Sequence, residues 1–151
     1  MAVQDRLNEL GISLPQAAPP VGAFVPWVRT GNLLFLSGHI AKRDGKVWAG
    51  QLGAEIATAE GQQAARGVAI DLLGTLQAAT GDLDRVLRLV KLLVLVNSTS
   101  GFTEQPSVAN GASELFQAVL GPAGLHARSA VGVAQLPFGA CVEIELVAET
   151  T

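Results

Sequence analysis

Val86-Leu87-Arg88-Leu89-Val90-Lys91-Leu92-Leu93-Val94-Leu95-Val96 is aliphatic throughout except at Arg88 and Lys91. Successive side chains of a β-strand point to opposite faces of the sheet. A strand here is therefore apolar on both faces, as in a central strand covered on both sides. A sheet with one wetted face is the alternative, but such a strand would carry polar residues at alternate positions.

The segments around this strand supply the cover for one face. Before it, Thr58 to Ala79 repeats apolar residues at three- and four-residue steps, through Ala65, Val68, Ala69, Leu72, Leu73, Leu76 and Ala79. That spacing predicts a long helix with one apolar stripe, stopped at Gly81-Asp82. After it comes a polar loop, Asn97 to Pro106. A second helix is predicted over Ser107 to Leu120, with Val108, Ala112, Leu115, Phe116 and Val119 on one side and Gly121-Pro122 beyond its end. Two such helices cover only one face of a sheet. The other face needs a different partner, and a second copy of the chain is the simplest.

Further out, Val25–Arg29 and Leu33–Leu36 flank Thr30-Gly31-Asn32, a hairpin signal. Ser37-Gly38 is expected to end the second of these strands. Arg43-Asp44-Gly45-Lys46 reads as a further turn before a short strand around Val47 and Trp48. Ala127–Val133 and Cys141–Val147 read as the last two strands, joined as a hairpin through Ala134–Gly139. At the other end, Val3–Leu10 predicts a short helix, and Pro- and Ala-rich Leu14–Pro20 an extended linker. The expected organisation is an N-terminal helix and linker over 1–20 and one α+β domain over 21–151.

Composition agrees with a domain of this kind. The 151 residues suit one core, and 49% are hydrophobic while 15% are charged, against about a quarter charged in ordinary soluble domains. A net charge of −3 argues against gripping a nucleic-acid backbone, which needs a basic face. The lone Cys141 rules out an intrachain disulfide and fits a reducing compartment. The opening MAVQDRLNEL has neither the basic nor the apolar region of a signal peptide. No apolar run approaches the roughly 20 residues of a membrane helix. The expected location is the cytoplasm.

Candidate chemistry is sparse. His39 and His126 are the only histidines, too few and too isolated for a metal site; a lone histidine is more often structural. No metal and no cofactor is expected. If the last two strands pair about Gln135 and Leu136, Arg128 falls opposite Glu143, with Cβ atoms roughly 5 Å apart. Glu145 then points the same way as Glu143. Two readings stand on the residues alone. The pair is a cross-strand salt bridge, or it is a site in which Arg128 clamps a substrate carboxylate with two parallel donors and Glu143 takes a proton from water. Ser37-Gly38 offers a hydroxyl and close backbone approach, or merely a turn. Asn110 binds a ligand or caps its helix. Ser129 has no partner for a nucleophile motif.

Ala127-Arg128-Ser129-Ala130-Val131-Gly132-Val133, then Leu136-Pro137, then Val142-Glu143-Ile144-Glu145 resembles the signature segment of the RidA/YjgF family, once labelled L-PSP endoribonuclease. Gly31-Asn32 through Ser37-Gly38 and the Asn110 helix resemble it too, as does the element order from about Val25 to Ala148. The resemblance implies a chorismate-mutase-like α+β fold, a mixed sheet with two main helices on one face, assembled as a homotrimer with clefts between subunits. It implies hydrolysis of 2-enamines and 2-imines to 2-keto acids and ammonia. By resemblance Arg128 binds the substrate carboxylate and Glu143 positions or activates water. Ala130 lends its backbone, and Phe24, Ser37, Gly38 and Asn110 line the pocket. Phe24 stands where the best-known members have Tyr, and the chain contains no Tyr. The N-terminal helix and a longer Gly38 to Thr58 segment also depart from the family pattern. The competing expectation is a non-enzymatic trimer of the same fold that binds a small carboxylate or serves as a scaffold. A ribonuclease would need a cationic phosphate site and paired acid–base groups, which an acidic chain with two separated histidines lacks.

Overall fold

The computed structural model describes residues 1–151. In chain order the elements are α1 (Val3–Glu9), β1 (Trp27–Thr30), β2 (Leu33–Ile40), β3 (Lys42–Arg43), β4 (Lys46–Val47), α2 (Thr58–Thr80), β5 (Val86–Asn97), α3 (Gln105–Leu120), β6 (Ala127–Val133) and β7 (Val142–Thr150). A mixed five-stranded sheet runs in the order β1-β2-β7-β5-β6, and β3–β4 form a separate small hairpin. The chain is an α+β protein.

The aliphatic stretch takes the role its composition predicts. β5 has hydrogen-bonded neighbours on both sides, β7 antiparallel and β6 parallel. Its Leu89, Leu92, Val94 and Val96 are buried beneath α2 and α3. In α2 the apolar stripe Ala65, Val68, Ala69, Leu72, Leu73 and Leu76 is buried, and Gly81 closes the helix in the left-handed conformation, φ 79°. The two helices cross closely at Gly111 of α3, where any Cβ would run into the backbone of Gln62 on α2. α1 belongs to the same core: Val3 and Leu7 are buried with it, and the Val3 N–H donates to Asp84 Oδ1 at 3.0 Å.

Three expectations need correction. The last two strands do not form a hairpin, because β5 lies between them. A strand apolar on both faces is best satisfied with neighbours on both edges. β5, α3 and β6 form a parallel crossover unit, and the chain then passes over the end of β5 to place β7 on its far side. Ser37-Gly38 does not end β2. The strand continues to Ile40 through an irregularity between Leu36 and His39. α3 starts at Gln105 rather than Ser107, since Pro106 fits a first helical turn, where no N–H is needed.

The sheet's second face has no helix. It carries Val28, Phe35, Leu93, Leu95, Val131 and Val147, with Glu143 and Glu145 level with Leu95 and Leu93. Val28, Phe35 and Val131 are exposed.

Candidate functional site

The expected Arg128–Glu143 pair does not exist within one chain. Arg128 is level with Leu92 of β5, and Glu143 is level with Leu95. Those positions differ by an odd number along a regular strand, so the two side chains leave opposite faces of the sheet. Two strand spacings and three residues of rise separate their Cα atoms by roughly 14 Å. The residues instead fall into two separate sets.

The first set lies on β6 and α3. Arg128 points to the helix face, where Nη1 donates to Asn110 Oδ1 at 2.8 Å and to Ser113 Oγ at 3.0 Å, and Nη2 donates to the Pro106 carbonyl at 3.2 Å. Of the five guanidinium N–H groups, this leaves one on Nε and one on Nη2 for a ligand. Asn110 is well inside α3 and caps nothing; it holds the guanidinium. Ser113 is in turn held by His126. His126 Nδ1 lies 2.7 Å from the Gly124 carbonyl, and a carbonyl only accepts, so Nδ1 carries the proton. Nε2 then accepts from the Ser113 hydroxyl at 2.9 Å, leaving the Ser113 oxygen free to accept from Arg128. Burial lowers the His126 pKa, and the Arg128 charge lowers it further, against a raising effect of the Gly124 bond. A neutral His126 fits this chain of bonds. Ser113 and His126 were not among the expected site residues. The signal was available for Ser113, since Asn110 and Ser113 stand three apart and share one face of a helix. Ala130 sits two residues beyond Arg128 on the same edge strand, packed against the core.

The second set lies where β1 leaves β2. β1 begins at Trp27, opposite Leu36, so β2 beyond that point has no β1 partner. Ser37 is pinned to the departing chain: its N–H donates to the Pro26 carbonyl at 3.0 Å and its hydroxyl to the Val25 carbonyl at 2.6 Å. The uncovered edge lines a cavity of about 370 Å³ that also meets Phe24, Gly38, Phe138, Glu143 and the segment from Pro15 to Val21. A Cβ at Gly38 would collide with the Glu143 carboxylate, so only glycine lets Glu143 lie across this strand. Burial, then the neighbouring Glu145, raises the Glu143 pKa, the direction a proton acceptor for water needs near neutral pH. Phe24, Ser37, Gly38 and Glu143 are therefore together in one cavity, and Arg128, Asn110 and Ala130 are not in it.

His39 closes this edge against α2. By the same reasoning as for His126, Nδ1–H donates to the Ser37 carbonyl at 2.8 Å and Nε2 accepts from the Thr75 hydroxyl at 2.8 Å. Its pKa is lowered, by burial first and by Lys42 as a minor cause, against raising effects of the Ser37 bond and Asp71. Asp71 is raised by burial against the lowering effects of Lys42 and His39. No group of three His, Cys, Asp or Glu side chains stands close enough to hold a metal ion. Burial pushes the Cys141 thiol up to about 11, which leaves it a poor nucleophile.

A profile of the family described as "YjgF/chorismate_mutase-like, putative endoribonuclease" matches residues 4–150. The chain belongs to the RidA/YjgF family. It is 53% identical over 149 residues to Protein TCP17 of Trypanosoma cruzi, covering 97% of this chain and 93% of that one. It is 31% identical over 136 residues to a protein of Dermatophagoides farinae named 2-iminobutanoate/2-iminopropanoate deaminase, covering 89% of this chain and 91% of that one. The crystal structure of protein Atu1372 of Agrobacterium tumefaciens superposes with a TM-score of 0.90 at 41% identity, over 99% of this chain and 94% of that one. The family match begins within α1, and the superposition on Atu1372 includes that helix. No helix is long and apolar enough to cross a membrane.

Proposed function

We propose that this RidA-family chain is a cytoplasmic hydrolytic deaminase of 2-enamine and 2-imine intermediates, acting as a homotrimer whose sites combine two subunits. The observation that carries this reading is the division of the site residues into two complementary half-sites. One holds in place an arginine with two N–H donors left free, and the other holds a carboxylate of raised pKa over a glycine. Neither half does the chemistry alone. The exposed apolar face of Val28, Phe35 and Val131 supports burial against further copies, and a closed ring of three brings each Arg128 edge to a neighbour's Glu143 edge.

In such a site Arg128 takes the substrate carboxylate through its free Nε–H and Nη2–H. The imine carbon then lies toward Glu143, which accepts a proton from water as the water oxygen bonds to that carbon. The resulting carbinolamine receives the proton on nitrogen. Glu143 then takes the carbinolamine hydroxyl proton and passes it to the nitrogen, so that the C–N bond breaks as the C=O bond forms, releasing ammonia and the 2-keto acid. Orientation and proton transfer suffice for this reaction, and no cofactor enters it. Phe24 supplies no hydroxyl, which favours a second reading: a trimer that binds a small carboxylate through Arg128 without turnover.

Ammonia release from enzymatically generated 2-iminobutanoate tests the first reading. Acceleration by the wild type, lost in Arg128→Ala and in Glu143→Gln, is expected. No acceleration by the wild type, with keto-acid binding retained, leaves the binding trimer. Dissociating and reassociating equal amounts of the two inactive variants tests the shared site. Random mixing should restore about one quarter of the wild-type sites, whereas sites confined to one subunit would restore none.

A further inference from the structure

We propose that the cavity at the Gly38–Glu143 edge selects ligands with a bulky apolar side chain, an aromatic 2-imino or 2-oxo acid rather than the three-carbon one, and that Phe138 is the residue that sets this preference. The proposal rests on the reading of this cavity as the ligand site.

Phe138 is in the wrong place for either a core residue or a turn residue. It is 70% exposed, so it contributes little to folding. Its φ is 58°, in the left-handed region that residues with a Cβ avoid. The turn around it is otherwise well made: Pro137 precedes it, Gly139 follows at φ 72°, and Gly139 N–H donates to the Leu136 carbonyl at 3.0 Å. Glycine or asparagine would fit position 138 without strain. Strain held at a surface position points to function rather than stability. The aromatic ring lines the same cavity as Phe24, itself 51% exposed. Two exposed phenylalanines on one cavity leave apolar surface in water until something covers it.

The cavity's size and lining agree. Of its polar groups, Ser37 and Glu143 belong to the reacting end, His39 and Thr75 are bonded to each other, and Gln16 lies on the linker wall. Val21, Pro19, Pro20 and Pro137 add to the two phenylalanines. Lys42 and Asp71 also border it, but their charges oppose each other and Lys42 is exposed, so they favour neither sign of side chain. A three-carbon oxo acid has six non-hydrogen atoms. At no more than the liquid share of a water each, about 30 Å³, it fills at most about half of the space. An aromatic oxo acid of twelve such atoms fills at most about 360 Å³ on the same measure, so it too fits within the cavity's 370 Å³. A neighbouring subunit can add to these walls without removing the phenylalanines from the cavity.

The test is calorimetric binding of phenylpyruvate, pyruvate and 2-oxoglutarate to the full chain and to Phe138→Gly and Phe24→Leu, with the sedimentation coefficient of each protein measured alongside. Phenylpyruvate should bind wild type at least about tenfold more tightly than pyruvate. In Phe138→Gly that ratio should fall to about threefold or less, with assembly unchanged. Phe24→Leu should lower the ratio less, since leucine retains apolar volume. Equal affinities in wild type, tighter 2-oxoglutarate binding, or an undiminished ratio in Phe138→Gly would each overturn the proposal. So would a Phe138→Gly protein whose only defect is assembly. The ammonia assay on imines of phenylalanine and alanine separates the two readings. If binding shows the preference but no imine is turned over, the deaminase reading falls and the ligand preference stands.

Discussion

Replacing Gly38 with alanine tests the geometry of the Glu143 half-site with a single methyl group. The added Cβ would overlap Glu143 Oε2 and come within 3.0 Å of its Cδ and 3.3 Å of its Cγ. All three atoms belong to the outer part of a flexible side chain, so the fold can yield by rotating Glu143 away. Gly38 is not in the left-handed region, so alanine adds no backbone strain, and it stabilises by about 0.4–1 kcal/mol through the unfolded chain. Moving Glu143 off its rotamer costs about 0.5–1.5 kcal/mol. The two nearly cancel, and the midpoint of thermal unfolding should shift by no more than about 4 °C. Turnover should respond very differently, because displacing a reacting group by about 1 Å costs on the order of a hundredfold. Differential scanning calorimetry and the ammonia assay read the two quantities separately. In a Glu143→Gln background the same substitution should cost little further activity, since the group it displaces no longer works. Wild-type turnover by Gly38→Ala would refute the role given to the Glu143 carboxylate over this glycine. A collapse in stability would refute the view that only a side-chain end stands in the way.

The Arg128 half-site has its own tests. Arg128→Lys should weaken keto-acid binding almost as much as Arg128→Ala, by tens- to a hundredfold, because lysine cannot present two parallel donors; titration calorimetry checks this, and a wild-type affinity for Arg128→Ala would return the arginine to a structural role. Ser113→Ala removes the acceptor at 3.0 Å from Arg128 and should weaken keto-acid binding about tenfold, whereas Ser113→Thr, which keeps the hydroxyl, should restore it. His39 and His126 have folded-state pKa values lowered from 6.5, so the unfolded chain binds protons first. Their contribution is therefore full above about pH 6.5 and lost as pH falls through the folded values. Asp71 and Glu143, both raised, act in the opposite sense, taking up protons first in the folded chain. The acid-side loss should consequently appear most clearly as a difference between wild type and His39→Asn, measured by thermal unfolding from pH 8 to pH 5. An identical slope for both would contradict it. Sedimentation equilibrium at micromolar concentration should give a trimer; a stable monomer would remove the shared site.

By itself the sequence determined which segments are buried. The doubly apolar Val86–Val96, the stripe of α2 and the stop at Gly81 follow from side-chain direction and helical period, and these act over a few residues of chain. The segment from Ala127 to Glu145 carried enough local pattern to resemble one family. It did not determine which strands are neighbours. A constant-sum register through Gln135 and Leu136 places Arg128 beside Glu143 only if no other strand intervenes, and β5, thirty residues earlier in the chain, takes that place. Adjacency in a sheet is decided by long-range hydrogen bonding and by the parallel crossover through α3, neither of which leaves a local signature. The tertiary structure alone therefore decided that Arg128 is anchored by Asn110, Ser113 and His126 on one face, while Glu143 lies over Gly38 on the other. The two half-sites are divided because alternating strand side chains cannot reach through a sheet.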